Sequence, residues 1–192
     1  MNVVVASVLD SLDRNVWEIF VNNPFLISVA RSVSSLGVLP VLLPLSIAVG
    51  VYLWKSTSSV LIGVTPWIAV QINSIVVANL KEWTNVPRPP REFWLGSASA
   101  GSFPSGHVAN TTAFAAVVIL LVSQIHPLRR RLFNLLGIVL CGAMAWSRLA
   151  LNVHWLSDVV AGWFVGVATA LVVVRLVDRI RSQRVSQLQT RD

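Results

Sequence analysis

The chain carries little charge: Lys, Arg, Asp and Glu make up 12% of its 192 residues, against 55% hydrophobic side chains. That ratio, with a mean hydropathy of +0.71, excludes an ordinary soluble domain and points to a protein built into a bilayer. Cysteine is scarcer still. Cys141 is alone, so no intramolecular disulfide can form, and its place inside an apolar run assigns it to packing. Acidic residues number eight against fifteen Lys and Arg. The resulting net charge of +7 is better explained by basic loops on the cytoplasmic side of a membrane protein than by nucleic acid, which is not expected as a partner. A cleavable signal peptide is not expected in these residues, because Met1 to Leu9 has no basic stretch and Asp10, Asp13 and Arg14 follow at once.

What is present is a series of apolar runs, several of them long enough to cross a hydrocarbon core, which takes roughly 20 residues of helix. They predict an all-α, multi-pass membrane helix bundle with about five transmembrane helices. The spans are expected near Gly37 to Trp54, Val60 to Leu80, Ser105 to Ile125, Leu132 to Trp146 and Trp155 to Val177. Residues 1–36 read as interfacial or lead-in helices. Val5, Val8, Leu9, Leu12, Val16 and Phe20 recur at helical spacing, and Pro24 to Leu36 is apolar but too short to count as a span. Residues 37–177 form the membrane-embedded domain, and 178–192 a basic cytoplasmic tail.

Within the second span, Gln71, Asn73, Ser74 and Asn79 are expected to face other helices rather than lipid. In the fifth, Gly162 and Gly166 have the G-x-x-x-G spacing that lets a neighbouring helix come close. Between the second and third spans lies a long loop rich in proline, serine and glycine, and loops of that length in compact proteins are often functional. Lys55, Arg129, Arg130, Arg131, Arg179, Arg181 and Arg184 fall at one end of the bundle, and the positive-inside rule makes that end cytoplasmic. Lys81, Arg88, Ser105 to His107, Arg148 and His154 fall together at the other, extracytoplasmic end.

The stretch Gly101-Ser102-Phe103-Pro104-Ser105-Gly106-His107 leads directly into the third span. Pro104 suits the first position of a helix, with Ser102 or Phe103 as cap, which would leave the amides of Ser105, Gly106 and His107 free to meet an anion. On these seven residues alone, a capped helix beside an interfacial histidine is an equally good account. The three cations Lys81, Arg88 and Arg148 change the balance, since with few acids nearby they call for an anionic ligand such as phosphate. Asp158 lies four residues after His154, so the carboxylate can hold one imidazole nitrogen and leave the other aimed at substrate.

Lys81 to Pro89 reads K-x6-R-P, Pro104 to His107 reads P-S-G-H, and Ser147 to Asp158 reads S-R-x5-H-x3-D. In order and spacing, these three segments resemble the signature of the type 2 phosphatidic acid phosphatase and vanadium haloperoxidase superfamily. The resemblance covers about Leu36 to Val177. It implies that Lys81, Arg88, Ser105, Gly106 and Arg148 bind phosphate, that His154 is the nucleophile with Asp158 orienting it, and that His107 is the general acid. It further implies an integral membrane lipid phosphatase that needs no metal and no cofactor, with undecaprenyl diphosphate or a similar prenyl lipid as the favoured substrate. Phosphatidic acid and phosphatidylglycerophosphate are the alternatives. A vanadium haloperoxidase fits poorly because those enzymes are soluble, and the intact histidines argue against a non-catalytic lipid-binding scaffold.

Overall fold

The computed structural model describes residues 23–98 and 101–189, so the amphipathic segment expected within residues 3–20 lies outside the described residues. Among the described residues, six α-helices run in order: α1 (Pro24–Leu36), α2 (Leu39–Thr57), α3 (Val60–Thr84), α4 (Gly106–Ile125), α5 (Arg130–Ala150) and α6 (Leu156–Gln189), with short 3-10 turns at Arg91–Phe93 and Pro127–Arg129. Five stretches among the described residues are long and apolar enough to cross a membrane: α2, α3, α4, Pro127–Ala150 and Leu156–Arg184. The fold is an all-α, multi-pass bundle. The spans alternate in direction, so α2 starts at the end where α3 finishes, and α5 returns to that same end before α6 leaves it.

α4 is the axis of the bundle and packs against α2, α3, α5 and α6. Its residues Val108, Ala109, Ala113, Val117 and Leu121 are buried, while Ile75 on α3, Ile138 on α5 and Phe164 on α6 face outward, so the bundle is apolar on its outer surface as well as in its core, as a lipid solvent allows. The expected G-x-x-x-G contact is made against α4. A Cβ at Gly166 would lie 2.6 Å from the Ala109 carbonyl oxygen, and one at Gly162 would lie 3.0 Å from that of Ser105. α6 thus rests directly on the backbone of α4, at the turn that carries the P-S-G-H segment. Gly50 and Gly63 make a similar contact between α2 and α3, where a Cβ at Gly50 would clash with the Gly63 carbonyl.

A buried polar pair joins two helices inside the bundle. Asn73 Nδ2 on α3 donates to Asn110 Oδ1 on α4 at 2.7 Å, both side chains being buried. Asn79 differs from expectation: it is exposed, and its amide donates to the Ile75 carbonyl of its own helix at 2.8 Å. The intrahelical bond satisfies the side chain without a neighbouring helix. α6 also continues well beyond Val177, through the basic segment to Gln189.

α1 is 13 residues long and packs on α5 beside the end where α2 starts. Asn23 caps it, its Oδ1 accepting from the Leu26 amide at 3.1 Å, with Pro24 at the first helical position. At the opposite end of the bundle, Tyr52 and His126 are joined by a 2.7 Å hydrogen bond, beneath the loop that carries Arg129, Arg130 and Arg131.

Candidate active site

Helix α4 starts later than Pro104 suggests. Ser105 is the N-cap and Gly106 the first helical residue, and Pro104 belongs to the preceding turn. The reason is tertiary. The Ser105 amide donates to the Asp158 carbonyl oxygen at 2.9 Å, so this amide is committed to α6 and is not free to meet an anion. The first intrahelical bond runs from the Ala109 amide to the Ser105 carbonyl. Gly106, His107 and Val108 therefore supply the first-turn amides that no helical carbonyl precedes. Ser105 Oγ makes no capping bond and is buried with no hydrogen-bond partner among the described residues.

Asp158 holds the start of α6 together. Its Oδ2 accepts from the backbone amide of Trp155 at 2.9 Å, from Ser102 Oγ and, at 3.2 Å, from His154 Nδ1. The Trp155 bond is the backward half of a capping box, in which an acidic side chain in the first turn returns to the amide at the cap. The same carboxylate thus fixes a helix terminus and an imidazole. With Nδ1 carrying the proton toward Asp158, Nε2 keeps its lone pair. Burial pushes His154 down from its ordinary 6.5 to about 3; Asp158 opposes that shift, and the guanidinium groups of Arg88 and Arg148 add to it. The imidazole is therefore neutral, which is the state of a nucleophile.

The cations converge on this histidine from three elements. Arg88, in the loop after α3, donates from Nη1 to the Val153 carbonyl at 2.5 Å and lies 3.1 Å from His154 Nε2, while its Nη2 donates to the Gly101 carbonyl at 3.2 Å. Burial lowers its pKa from the ordinary guanidinium value, against the opposing pull of Asp158, yet a guanidinium remains charged at any ordinary pH. Lys81, in the last turn of α3, donates from Nζ to Gly101 O at 2.5 Å and Ser102 O at 3.3 Å. Arg148, near the end of α5, is buried and donates from Nη1 to Ser34 Oγ on α1, leaving Nε buried without a partner among the described residues.

Lys81, Arg88, Gly106, His107, Arg148 and His154 line a single cavity of about 960 Å³. Asp158 stands behind His154, and Ser105 is buried immediately before Gly106. The residues marked out in the sequence are thus gathered around one opening, at the bundle end opposite the Arg129 to Arg131 loop. Among the described residues, no group of three His, Cys, Asp or Glu side chains is placed to hold a metal ion. What the arrangement can do is bind an anion with fixed positive charge and present to it a neutral imidazole backed by a carboxylate.

A model of the PAP2 superfamily matches residues 63–182. The chain belongs to the PAP2 superfamily. Among its relatives, this PAP2 protein is 25% identical over 172 residues to phosphatidylglycerophosphatase B of Bacillus subtilis, a match covering 86% of this chain and 82% of that protein. It is 38% identical over 65 residues to an undecaprenyl-diphosphatase of Sulfolobus acidocaldarius, covering 34% of this chain and 28% of that one. In fold it is similar to the crystal structure of a transmembrane PAP2-type phosphatidylglycerolphosphate phosphatase from B. subtilis. The TM-score is 0.83 at 24% identity, over 93% of this chain and 89% of that one. Family, spans and relatives together support a membrane-embedded phosphatase.

Three residues of this PAP2 protein have contacts in the site that motif reading does not assign to them. Ser102 donates to Asp158, Ser34 accepts from Arg148, and Arg31 lines the cavity from α1 with its Nε donating to the Leu95 carbonyl at 2.9 Å. Only Arg31 carried a signal, as the lone charge in a short apolar helix. The two serines acquire their roles through contacts 56 and 114 positions away in the chain.

Proposed function

We propose that this PAP2 protein hydrolyses a phosphate ester or diphosphate of a membrane lipid through a phosphohistidine at His154, on the extracytoplasmic face and without a metal ion. The observation that carries the reading is a set of unmet donors around a prepared imidazole. Among the described residues, Arg148 Nε and Ser105 Oγ are buried without partners, and Asp158 holds the proton of His154. Buried donors are rarely left unpaired, and a phosphate would satisfy both.

The steps follow from that geometry. The phosphoryl group enters the cavity, and its oxygens draw on Arg148, Lys81, Arg88 and the first-turn amides of Gly106 and His107. They compete with His154 Nε2 for the Arg88 Nη1 hydrogen, which frees the imidazole lone pair. Nε2 then forms a bond to phosphorus as the bond to the leaving oxygen breaks, and His107 supplies the proton that oxygen takes up. The cations and amides stabilise charge on the three remaining oxygens, and Asp158 stabilises the imidazolium. Water then attacks phosphorus, with His107 accepting its proton, which releases phosphate and restores the neutral imidazole. The electrostatic role a metal would fill in other phosphatases falls here to three cations, and His154 is backed by a single carboxylate, Asp158, too few acids for magnesium or calcium.

Two lipid classes follow from the relatives. A prenyl diphosphate places its phosphates at headgroup depth with its chain in the bilayer, as the undecaprenyl-diphosphatase similarity suggests. Phosphatidylglycerophosphate is favoured by a different observation, the length of the match to phosphatidylglycerophosphatase B, which spans 82% of that protein. The test is phosphate release by the purified chain in detergent from prenyl diphosphates, phosphatidylglycerophosphate and phosphatidic acid, with and without EDTA. Release that survives EDTA and is blocked by vanadate is expected. Activity abolished by EDTA and restored by magnesium would contradict the metal-free mechanism, and no release from any lipid would contradict the function.

A further inference from the structure

On α1, Arg31, Ser34 and Ser35 line the active-site cavity, joined by Val38 just past the end of the helix. Arg31, Ser34 and Ser35 are spaced i, i+3 and i+4, so they share one face of the helix. The face is polar on a helix that is otherwise mostly apolar, and its work is divided. Ser34 holds Arg148, one of the three cations already assigned to the phosphoryl group. Arg31 is held elsewhere: its Nε donates to the Leu95 carbonyl at 2.9 Å, and among the described residues it makes no ion pair and no bond through its Nη groups. A solitary arginine at a membrane end ordinarily snorkels toward headgroups. Here the bond to Leu95 ties the side chain to the loop that walls the cavity. The cavity, at about 960 Å³, is at the upper end of the range for sites that enclose whole small molecules, far more than one phosphate needs.

We infer that Arg31 is a second-phosphate subsite, which selects lipids whose headgroup carries a further phosphate beside the one removed. The inference rests on the phosphatase reading above. A guanidinium pinned through Nε keeps its two Nη groups for paired hydrogen bonds to a phosphate, and the pinning reduces the side-chain entropy lost on binding. Two sources share this chemistry: a prenyl diphosphate, in which the phosphates are adjacent, and a glycerophosphate lipid, in which a phosphodiester stands one glycerol away from the terminal phosphate.

The experiment compares matched pairs in detergent with the full chain: farnesyl diphosphate against farnesyl monophosphate, and phosphatidylglycerophosphate against phosphatidic acid. In at least one pair, the wild type should favour the two-phosphate member in kcat/KM. Arg31→Gln should reduce that ratio about tenfold, through KM, the size expected for one charged hydrogen-bonded contact, and Arg31→Lys should restore part of it. The pair that responds identifies the source. A ratio unchanged in Arg31→Gln, whether activity falls on both members or on neither, would overturn the subsite. Thermal unfolding with inorganic pyrophosphate and orthophosphate as probes separates the two claims. Pyrophosphate should stabilise the wild type at lower concentration than orthophosphate, and Arg31→Gln should erase the difference. A wild type that releases no phosphate but keeps this difference contradicts the phosphatase reading alone, whereas equal stabilisation by both anions overturns the subsite.

Discussion

His107 and His154 line one cavity in different surroundings, which fits the two different tasks proposed for them. His154 is buried and tied to Asp158, while His107 lines the cavity in the first turn of α4 with no hydrogen bond to its ring among the described residues. A general acid matters in proportion to the basicity of the leaving oxygen. His107→Ala should therefore lose roughly 10²- to 10⁴-fold in kcat on an alkyl lipid phosphate and far less on p-nitrophenyl phosphate, whose leaving group is stable as an anion. Equal losses on both substrates would remove His107 from that role. Burial of a neutral His154 also has a thermodynamic consequence. Its folded pKa lies below its unfolded value of 6.5, so between those values the unfolded chain binds more protons. Stability should fall as the pH is lowered from about 6.5 toward 3, with His154 contributing at most about 1.4 kcal/mol per pH unit. Thermal unfolding in detergent should show a shallower acid loss in His154→Asn than in the wild type; parallel curves would contradict a buried neutral imidazole.

At the level of the helices, the decisive contact is α6 on α4, because it sets Asp158 behind the P-S-G-H turn. A Cβ at Gly166 meets the Ala109 carbonyl at 2.6 Å and the Ala113 amide nitrogen at 2.9 Å, backbone atoms that cannot rotate away. Gly166→Ala should destabilise the bundle by about 1–3 kcal/mol, the usual cost of overpacking. Gly142→Ala on α5, whose Cβ would meet nothing within 4 Å, should be neutral or slightly stabilising. Thermal unfolding of the two variants in one detergent checks this, and equal melting temperatures would argue against a rigid α4–α6 contact. These helices were readable from sequence because a bilayer demands long unbroken apolar runs, and the small residues of α6 carry a spacing that a close partner requires. Where α4 begins was not, since Pro104 promises a start that the Ser105–Asp158 backbone bond postpones by two residues. Nor was the part played by α1, which is too short to register as a span and contributes through single side chains such as Ser34.

For the whole molecule, the alternation of spans puts the cavity at one membrane face and Arg129, Arg130 and Arg131 at the other. On the proposed topology, in which the positive-inside rule makes those arginines cytoplasmic, the cavity faces outward. In a Cys141→Ala background, a cysteine at exposed Ser97, on the cavity wall, should react with a membrane-impermeant thiol reagent in intact cells, while one at Arg130 should not. The reverse pattern would turn the site to the cytoplasm. The central claim is that phosphorus is passed to His154 within this membrane-embedded cavity, and trapping the intermediate tests it most directly. Acid-free quenching of the purified chain during turnover of a lipid carrying a labelled phosphate should yield a protein-bound phosphate that is acid-labile and base-stable, located at His154. It should be absent from His154→Ala, which should also release no phosphate. Labelled phosphate found on another residue, or turnover persisting in His154→Ala, would contradict the account.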